Sequence, residues 1–228
     1  MRKLFFILGF LTSLNSYSQT TEKIYYKDIV GNCIEDLNKQ INQAWKDKEN
    51  KKAIKLFDSL VNNCIKGKYL SNYDFKTIKN KTISTGKINT PIVLLTSANW
   101  CGPCWGEIPT LNKLAQKYDG QIEFIVLFWN KKKDLRKMAS KYDKRIHLIP
   151  SKTEPLDKSS ILINGFNHKL DYPAAYLIDE HKKILDMTRG AAFPNKNMGW
   201  GKVNKINEKK LTEFIKPVTK NFISVIQK

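Results

Sequence analysis

Between Gly31 and Lys66 the apolar residues recur at helical spacing in two runs, Ile34, Leu37, Ile41, Trp45 and then Ile54, Phe57, Val61, Ile65. A period near 3.6 residues places each run on one face of an amphipathic helix. The polar stretch Lys46 to Lys51 is the turn between them, so an antiparallel helical hairpin is expected. After Tyr69 the period changes. Tyr73, Phe75 and Ile78 predict a short strand, and Lys79 to Lys87 a polar turn or a second short strand before Pro91. Ile92 to Thr96 and Ile122 to Phe128 are continuous apolar runs, as in parallel strands covered on both faces. Between them Ile108, Leu111, Leu114, Ala115 and Tyr118 return to helical spacing, with Gly120 as the stop.

Further on, the pattern predicts a crossover helix over Asp134 to Tyr142, a third strand over Ile146 to Ile149 and a short helix over Leu156 to Ile163. Ala174 to Ile178 and Lys183 to Met187 are expected as strands joined by the turn Asp179 to Lys182, a hairpin rather than a crossover. Gly190 to Val203, with Pro194, Gly199 and Gly201, reads as a loop. The chain closes with an amphipathic helix carrying Leu211, Phe214, Val218, Phe222 and Val225, bent near Pro217. No internal repeat or low-complexity tract interrupts this order.

The first residues follow a different logic. Arg2 and Lys3 precede an apolar run from Leu4 to Leu11, and a polar stretch ends in Ser16, Tyr17, Ser18, the order of a secretory signal. Residues 1–18 are therefore expected to be a signal peptide, residues 19–70 a helical hairpin extension and residues 71–228 the main domain. The apolar run is too short to span about 30 Å of hydrocarbon, and no second one of sufficient length follows, so the mature chain is expected to have no transmembrane segment. The implied compartment is the periplasm, or the extracellular space. Either allows disulfides to form and persist.

Composition narrows the partners. A chain of 228 residues with 41% hydrophobic and 27% charged residues is globular, which excludes collagen, a disordered polyelectrolyte and a multispan membrane protein. The formal charge of +19 would suggest a nucleic-acid partner, but Arg2, Arg136, Arg145 and Arg189 are the only arginines, and the lysines are scattered rather than striped. No nucleic-acid partner is expected.

The chemistry concentrates in Trp100-Cys101-Gly102-Pro103-Cys104, directly after an apolar strand and at the start of a helix. There the unpaired backbone amides and the helix dipole favour an anion, lowering the pKa of Cys101 and populating its thiolate. Cys101 is thus the attacking sulfur. Cys104, one helical turn inward, is placed to resolve a mixed disulfide and close the intramolecular bond. A structural zinc site would want four ligands, and Cys33, Cys64, His147, His168 and His181 offer no ligand spacing. Covalent haem needs His after the second cysteine, where Trp105 stands. A plain structural bridge is the remaining rival, but one helical turn is a strained place for a staple. No metal and no bound cofactor are expected. Cys33 opens the first hairpin helix and Cys64 closes the second, nearly equidistant from the turn, so folding the hairpin brings the sulfurs together. A disulfide there would contribute roughly 3.5 to 4 kcal/mol on the loop-entropy picture. Two independent buried thiols or a second redox pair are the alternatives.

With the Cys-Gly-Pro-Cys motif, Glu107, Pro109 and the later Tyr172-Pro173-Ala174 leading into Tyr176-Leu177-Ile178-Asp179, the sequence resembles the thioredoxin superfamily. Within it the likeness is to the exported bacterial thiol-disulfide oxidoreductases of the TlpA and ResA type, over about Tyr73 to the C-terminus. The resemblance implies an α/β thioredoxin fold, a central mixed sheet flanked by helices. It also implies a cis peptide bond at Pro173 facing the cysteines, in a groove where Trp100, Gly102, Pro103 and Tyr172 meet the substrate backbone. In the ResA-like branch the glutamate matching Glu107 tunes the pair and assists proton transfer; an ordinary surface glutamate is the alternative. Pro109 is expected to kink its helix. Leu95 stands where cytoplasmic thioredoxins carry a buried aspartate, and Leu94 and Ala98 stand where peroxiredoxins have the proline and the threonine of their site, so peroxidase activity is not implied. The implied partners are protein thiols and disulfides plus an unidentified redox partner. The Gly-Pro spacer, shared with thioredoxin at about −270 mV against about −120 mV for DsbA, points to a reductant. A non-catalytic module whose groove holds a partner peptide is the alternative. The first 70 residues match nothing in the family.

Overall fold

The computed structural model describes residues 22–226 except 154 and 156, and side chains only as far as residue 219. The signal peptide expected over 1–18 lies outside the described residues.

The chain begins with a short helix α1 (Tyr26–Ile29), then α2 (Glu35–Lys46) and α3 (Asn50–Ser59), which pack side by side. This is the expected hairpin, but its outer ends are wound as π-helical turns, Val30–Ile34 before α2 and Leu60–Ile65 after α3. Cys33 and Cys64 sit in those two turns and are bonded to each other, their Cα atoms 6.0 Å apart. At the hairpin tip Trp45 and Ile54 face water, against the helical pattern, because the small residues Ala44 and Ala53 occupy the interior positions where the helices approach.

A short hairpin of β1 (Asp74–Lys76) and β2 (Thr82–Ser84) leads to β3 (Ile92–Ser97), the central strand of a five-stranded sheet. The cysteine-bearing α4 (Gly102–Lys117) follows, then β4 (Glu123–Lys131), which pairs parallel to β3. The crossover to β5 (His147–Ser151) is shorter than the expected helix: a 3-10 turn over Lys132–Leu135 and one helical turn, α5 (Arg136–Ala139). Its interior anchors, Leu135 and Met138, are adjacent turns apart, so little helix is needed to bury them.

The short helix expected over Leu156 to Ile163 is not formed where the chain is described. Ile161–Ile163 is strand β6, paired with β7 (Phe166–His168) across Asn164 and Gly165. Both turn residues have positive φ, 49° and 88°, the left-handed conformation that Asn and Gly tolerate best. β8 (Ala174–Ile178) runs antiparallel to β3, and β9 (Ile184–Arg189) antiparallel to β8, giving the order β5-β4-β3-β8-β9. The last element, α6 (Trp200–Ile226), begins inside the segment expected as a loop. Burial of Val203 and Asn207 overrides the helix-breaking tendency of Gly201.

Alternate residues of β3 divide the core. Ile92 and Leu94 face a cluster with Tyr26, Ile34, Ile41, Leu60, Ile65 and Phe166, so the N-terminal hairpin covers one side of the sheet. Val93 and Leu95 face Ile108, Leu111, Leu114, Leu211 and Ile215, so α4 and α6 cover the other. This is the mixed sheet flanked by helices that the sequence implied.

Candidate active site

The cysteine motif leaves the carboxyl end of β3, and its approach is pinned by side chains. Asn99 donates its backbone N–H to Asn130 Oδ1 at 2.7 Å, Asn130 returns a bond from Nδ2 to Asn99 Oδ1 at 2.9 Å, and Asn99 Nδ2 donates to the Asp134 carbonyl at 3.0 Å. The indole of Trp105 donates to the Asn99 carbonyl at 2.8 Å. Asn130, buried immediately after the apolar run of β4, gives the sequence signal that could have marked it: a polar residue closing a buried strand.

Cys101 then occupies the N-cap of α4, and Pro103 stands in the first turn, where a missing N–H costs nothing. The two cysteines are joined, with Cα atoms 5.3 Å apart, so the chain is in its oxidised form. The backbone N–H of Cys104 points at Cys101 Sγ from 3.2 Å. Both sulfurs are nearly buried, Cys101 at 5% and Cys104 at 2% exposure. The helix continues through Pro109 to Lys117.

Tyr172-Pro173 is a cis peptide. Ala174, the next residue, pairs in register with Thr96 on β3, so Pro173 lies at the end of the sheet where the motif departs. The ring of Tyr172 meets that of Trp100 edge to face at 5.7 Å, and Trp129 meets Trp100 from another side at 5.9 Å. Trp100 keeps 47% of its surface in water. The structure thus gathers Trp100, Cys101, Gly102, Pro103, Cys104, Tyr172 and Pro173 at one end of the sheet.

Glu107, one turn beyond Cys104, is not a surface glutamate: it is 4% exposed. Burial raises its carboxyl pKa to about 8, against the opposing pull of the Lys210 ammonium. At neutral pH it carries a proton.

Behind the Pro173 loop lies a polar group that sequence reasoning did not assign. His168, fully buried, has Nδ1 2.8 Å from the Tyr176 hydroxyl, Nε2 2.7 Å from the Asp171 carbonyl and Nε2 3.3 Å from Thr96 Oγ1. The Tyr176 hydroxyl in turn meets that of Tyr26 at 2.8 Å. Burial lowers the His168 pKa to about 4, with the nearby Arg189 acting in the same direction, so the imidazole is neutral. It donates to the Asp171 carbonyl from Nε2 and accepts from Tyr176 at Nδ1, which fixes the loop that ends in Pro173. Among the described residues no group of His, Cys, Asp and Glu is arranged to hold a metal ion.

This fold and this end of the sheet define the class: a thioredoxin-fold protein with a cysteine pair at the N-terminus of α4. The chain belongs to the AhpC/TSA family, whose profile matches residues 61–187. A thioredoxin from Borreliella burgdorferi is 32% identical over 62 residues, 27% of this chain and 50% of that protein; the chain spans about half the length of the curated relative it matches. Among solved structures, a candidate protein disulfide isomerase from Bacteroides thetaiotaomicron superposes with a TM-score of 0.50 at 16% identity, covering 68% of this chain and 89% of the other. A candidate thiol:disulfide interchange protein DsbE from Chlorobium tepidum gives 0.47 at 17% identity, covering 67% and 97%. At 16% identity the Bacteroides thetaiotaomicron superposition speaks for the fold alone.

Proposed function

We propose that this protein is an exported thiol-disulfide oxidoreductase, acting as a reductant on disulfides of other exported proteins. The observation that carries the reading is the Cys104 amide aimed at Cys101 Sγ at the N-terminus of a helix 16 residues long. A donor and a dipole so placed stabilise negative charge on Cys101 once the bridge is opened.

In the reduced form the Cys101 thiolate attacks one sulfur of a substrate disulfide, forms a mixed disulfide and expels the other substrate sulfur as a thiolate. Cys104 gives up its proton, with Glu107 as the nearby acceptor when that group is ionised, and attacks Cys101 Sγ. The second substrate sulfur leaves and takes a proton. The substrate gains two electrons, and the cysteine pair becomes the Cys101–Cys104 disulfide seen here. A dithiol on a partner protein returns the pair to its reduced form. Trp100, Gly102, Pro103, Tyr172 and Pro173 supply the groove for the substrate backbone. Cys33–Cys64 serves as a structural bridge in the hairpin. Export to the periplasm is supported by the N-terminal sequence, and no described helix is long and apolar enough to cross a membrane.

Insulin reduction tests the reading. The reduced protein is expected to precipitate insulin chains with turnover, and Cys101→Ser to have no activity. Equal rates in both, or none in either, would overturn it in favour of a peptide-holding module.

A further inference from the structure

The segment after β9 turns back over the cysteine motif and is held there by two residues of α6. Asn207, 1% exposed, accepts the Ala192 N–H at Oδ1 (2.8 Å) and donates from Nδ2 to the carbonyls of Ala192 (3.0 Å) and Gly106 (2.8 Å). One side chain thereby fastens the segment both to α6 and to α4. A turn further along, Lys210 Nζ donates to the carbonyls of Arg189, at 2.8 Å, and Gly190. Gly106 makes the approach possible: a Cβ there would lie 2.2 Å from the Ala192 carbonyl oxygen.

What this clamp positions is Phe193. Its ring lies 3.1 Å from where a Cβ on Gly102 would stand, so it rests directly against the residue that follows Cys101. The ring also meets Trp200 edge to face at 6.0 Å. Yet 40% of Phe193 remains in water, and Trp200 and Trp100 are 49% and 47% exposed. A ring needed only to fill the core would be covered. Here an anchored backbone, a glycine that admits it and a half-bare aromatic converge on the one place where a substrate sulfur must enter. Apolar surface left open at such a site gains free energy when a ligand covers it.

We propose that Phe193 is a specificity-determining wall of the exchange site, held in place by Asn207 as a positioning residue. The wall selects polypeptides with a bulky apolar side chain beside the reacting cysteine. The inference rests on the disulfide-exchange reading above and deepens it by naming the substrate class.

The test uses the oxidised full-length protein and two fluorescent peptides in which the reacting cysteine is replaced by serine, one flanked by Leu and Phe, the other by Ser and Asn. Anisotropy titration is expected to show about tenfold tighter binding of the apolar peptide, equivalent to about 1.4 kcal/mol. Phe193→Ser should bring the two affinities together, while Phe193→Tyr should keep them apart. Asn207→Ala should lower the preference too, and combining it with Phe193→Ser should lower it no further, because both act through one ring. Should Asn207→Ala fail to fold, the exposed Phe193 position still decides. Equal affinity of the unaltered protein for both peptides, or an undiminished preference in Phe193→Ser, would overturn the proposal. A protein that discriminates the peptides but reduces no insulin would instead overturn the exchange reading and leave the wall standing.

Discussion

The amide of Cys104 reaches Cys101 Sγ across the first turn of α4, at 3.2 Å, so a backbone donor faces the sulfur that caps the helix. Opening the bridge frees that sulfur to ionise under the same donor. In the reduced protein Cys101 is expected to titrate well below the roughly 8.5 of a free thiol, as read by thiolate absorbance or the pH dependence of alkylation. Cys104→Ser should keep this acidity and accumulate mixed disulfides with substrates. An ordinary thiol pKa at Cys101 would remove the basis for the proposed reaction.

Glu107 is expected to give the proposed exchange a pH dependence. Its ordinary pKa near 4.5 rises to about 8 on burial, so over that interval the folded protein holds a proton that the unfolded chain has released. Stability is therefore full below about 4.5 and declines by a few kcal/mol as pH climbs through 8. Glu107→Gln should flatten that decline in urea unfolding measured at several pH values. It should also slow the resolving step and erase a rate inflection near 8. An unchanged pH–rate profile in the variant would show that the carboxyl group takes no part in proton transfer.

His168 acts with the opposite sign. Its pKa falls from about 6.5 to about 4 in the folded protein, so its contribution is present above 6.5 and is lost as pH drops towards 4. His168→Asn should weaken this acid-side loss, while costing about 1–3 kcal/mol at neutral pH through the buried hydrogen bonds lost to the Tyr176 hydroxyl and the Asp171 carbonyl. Urea unfolding across pH 4 to 7 measures both effects.

Gly106→Ala should be costly for its size. The added methyl meets a backbone oxygen at 2.2 Å, which no rotamer change relieves. A loss of about 1–3 kcal/mol is expected in denaturant unfolding, against little effect for alanine at Gly201, where a Cβ has open space.

Removing both hairpin cysteines, Cys33→Ser with Cys64→Ser, should lower stability by roughly 3 to 4 kcal/mol, since the bridge closes a chain separation of 31 residues. The loss should vanish when the unaltered protein is unfolded under reducing conditions.

Much of this molecule was legible from residue order. The continuous apolar runs beginning at Ile92 and Ile122 became β3 and β4, and the tight Asp179–Lys182 connection made β8 and β9 a hairpin. The cysteine pair could be placed because a strand-to-helix turn constrains it, and the cis proline because Tyr172-Pro173-Ala174 resembles the thioredoxin motif. The β6–β7 hairpin was missed although Asn164-Gly165 between apolar residues is a strong turn signal, since its strands of three residues are too short to show a period. The roles of Asn130, His168, Asn207 and Lys210 were beyond reach for another reason. Each acts on backbone groups or side chains 30 or more residues away or across a loop, and polar side chains carry no periodic mark of the partner they will find.

Tyr26 shows that the extension is more than a leader to the catalytic half. Its ring stacks on Phe166 at 5.5 Å, and its hydroxyl completes the hydrogen bonding of Tyr176 on β8. Trimming the protein back to residue 71 would remove the hairpin's share of the cover on one side of the sheet and take Tyr26 from the hydrogen-bonded group it forms with Tyr176 and His168. Shuffling this hairpin onto another redox module would therefore demand a matching aromatic socket on the recipient, so the two parts are expected to be inherited together.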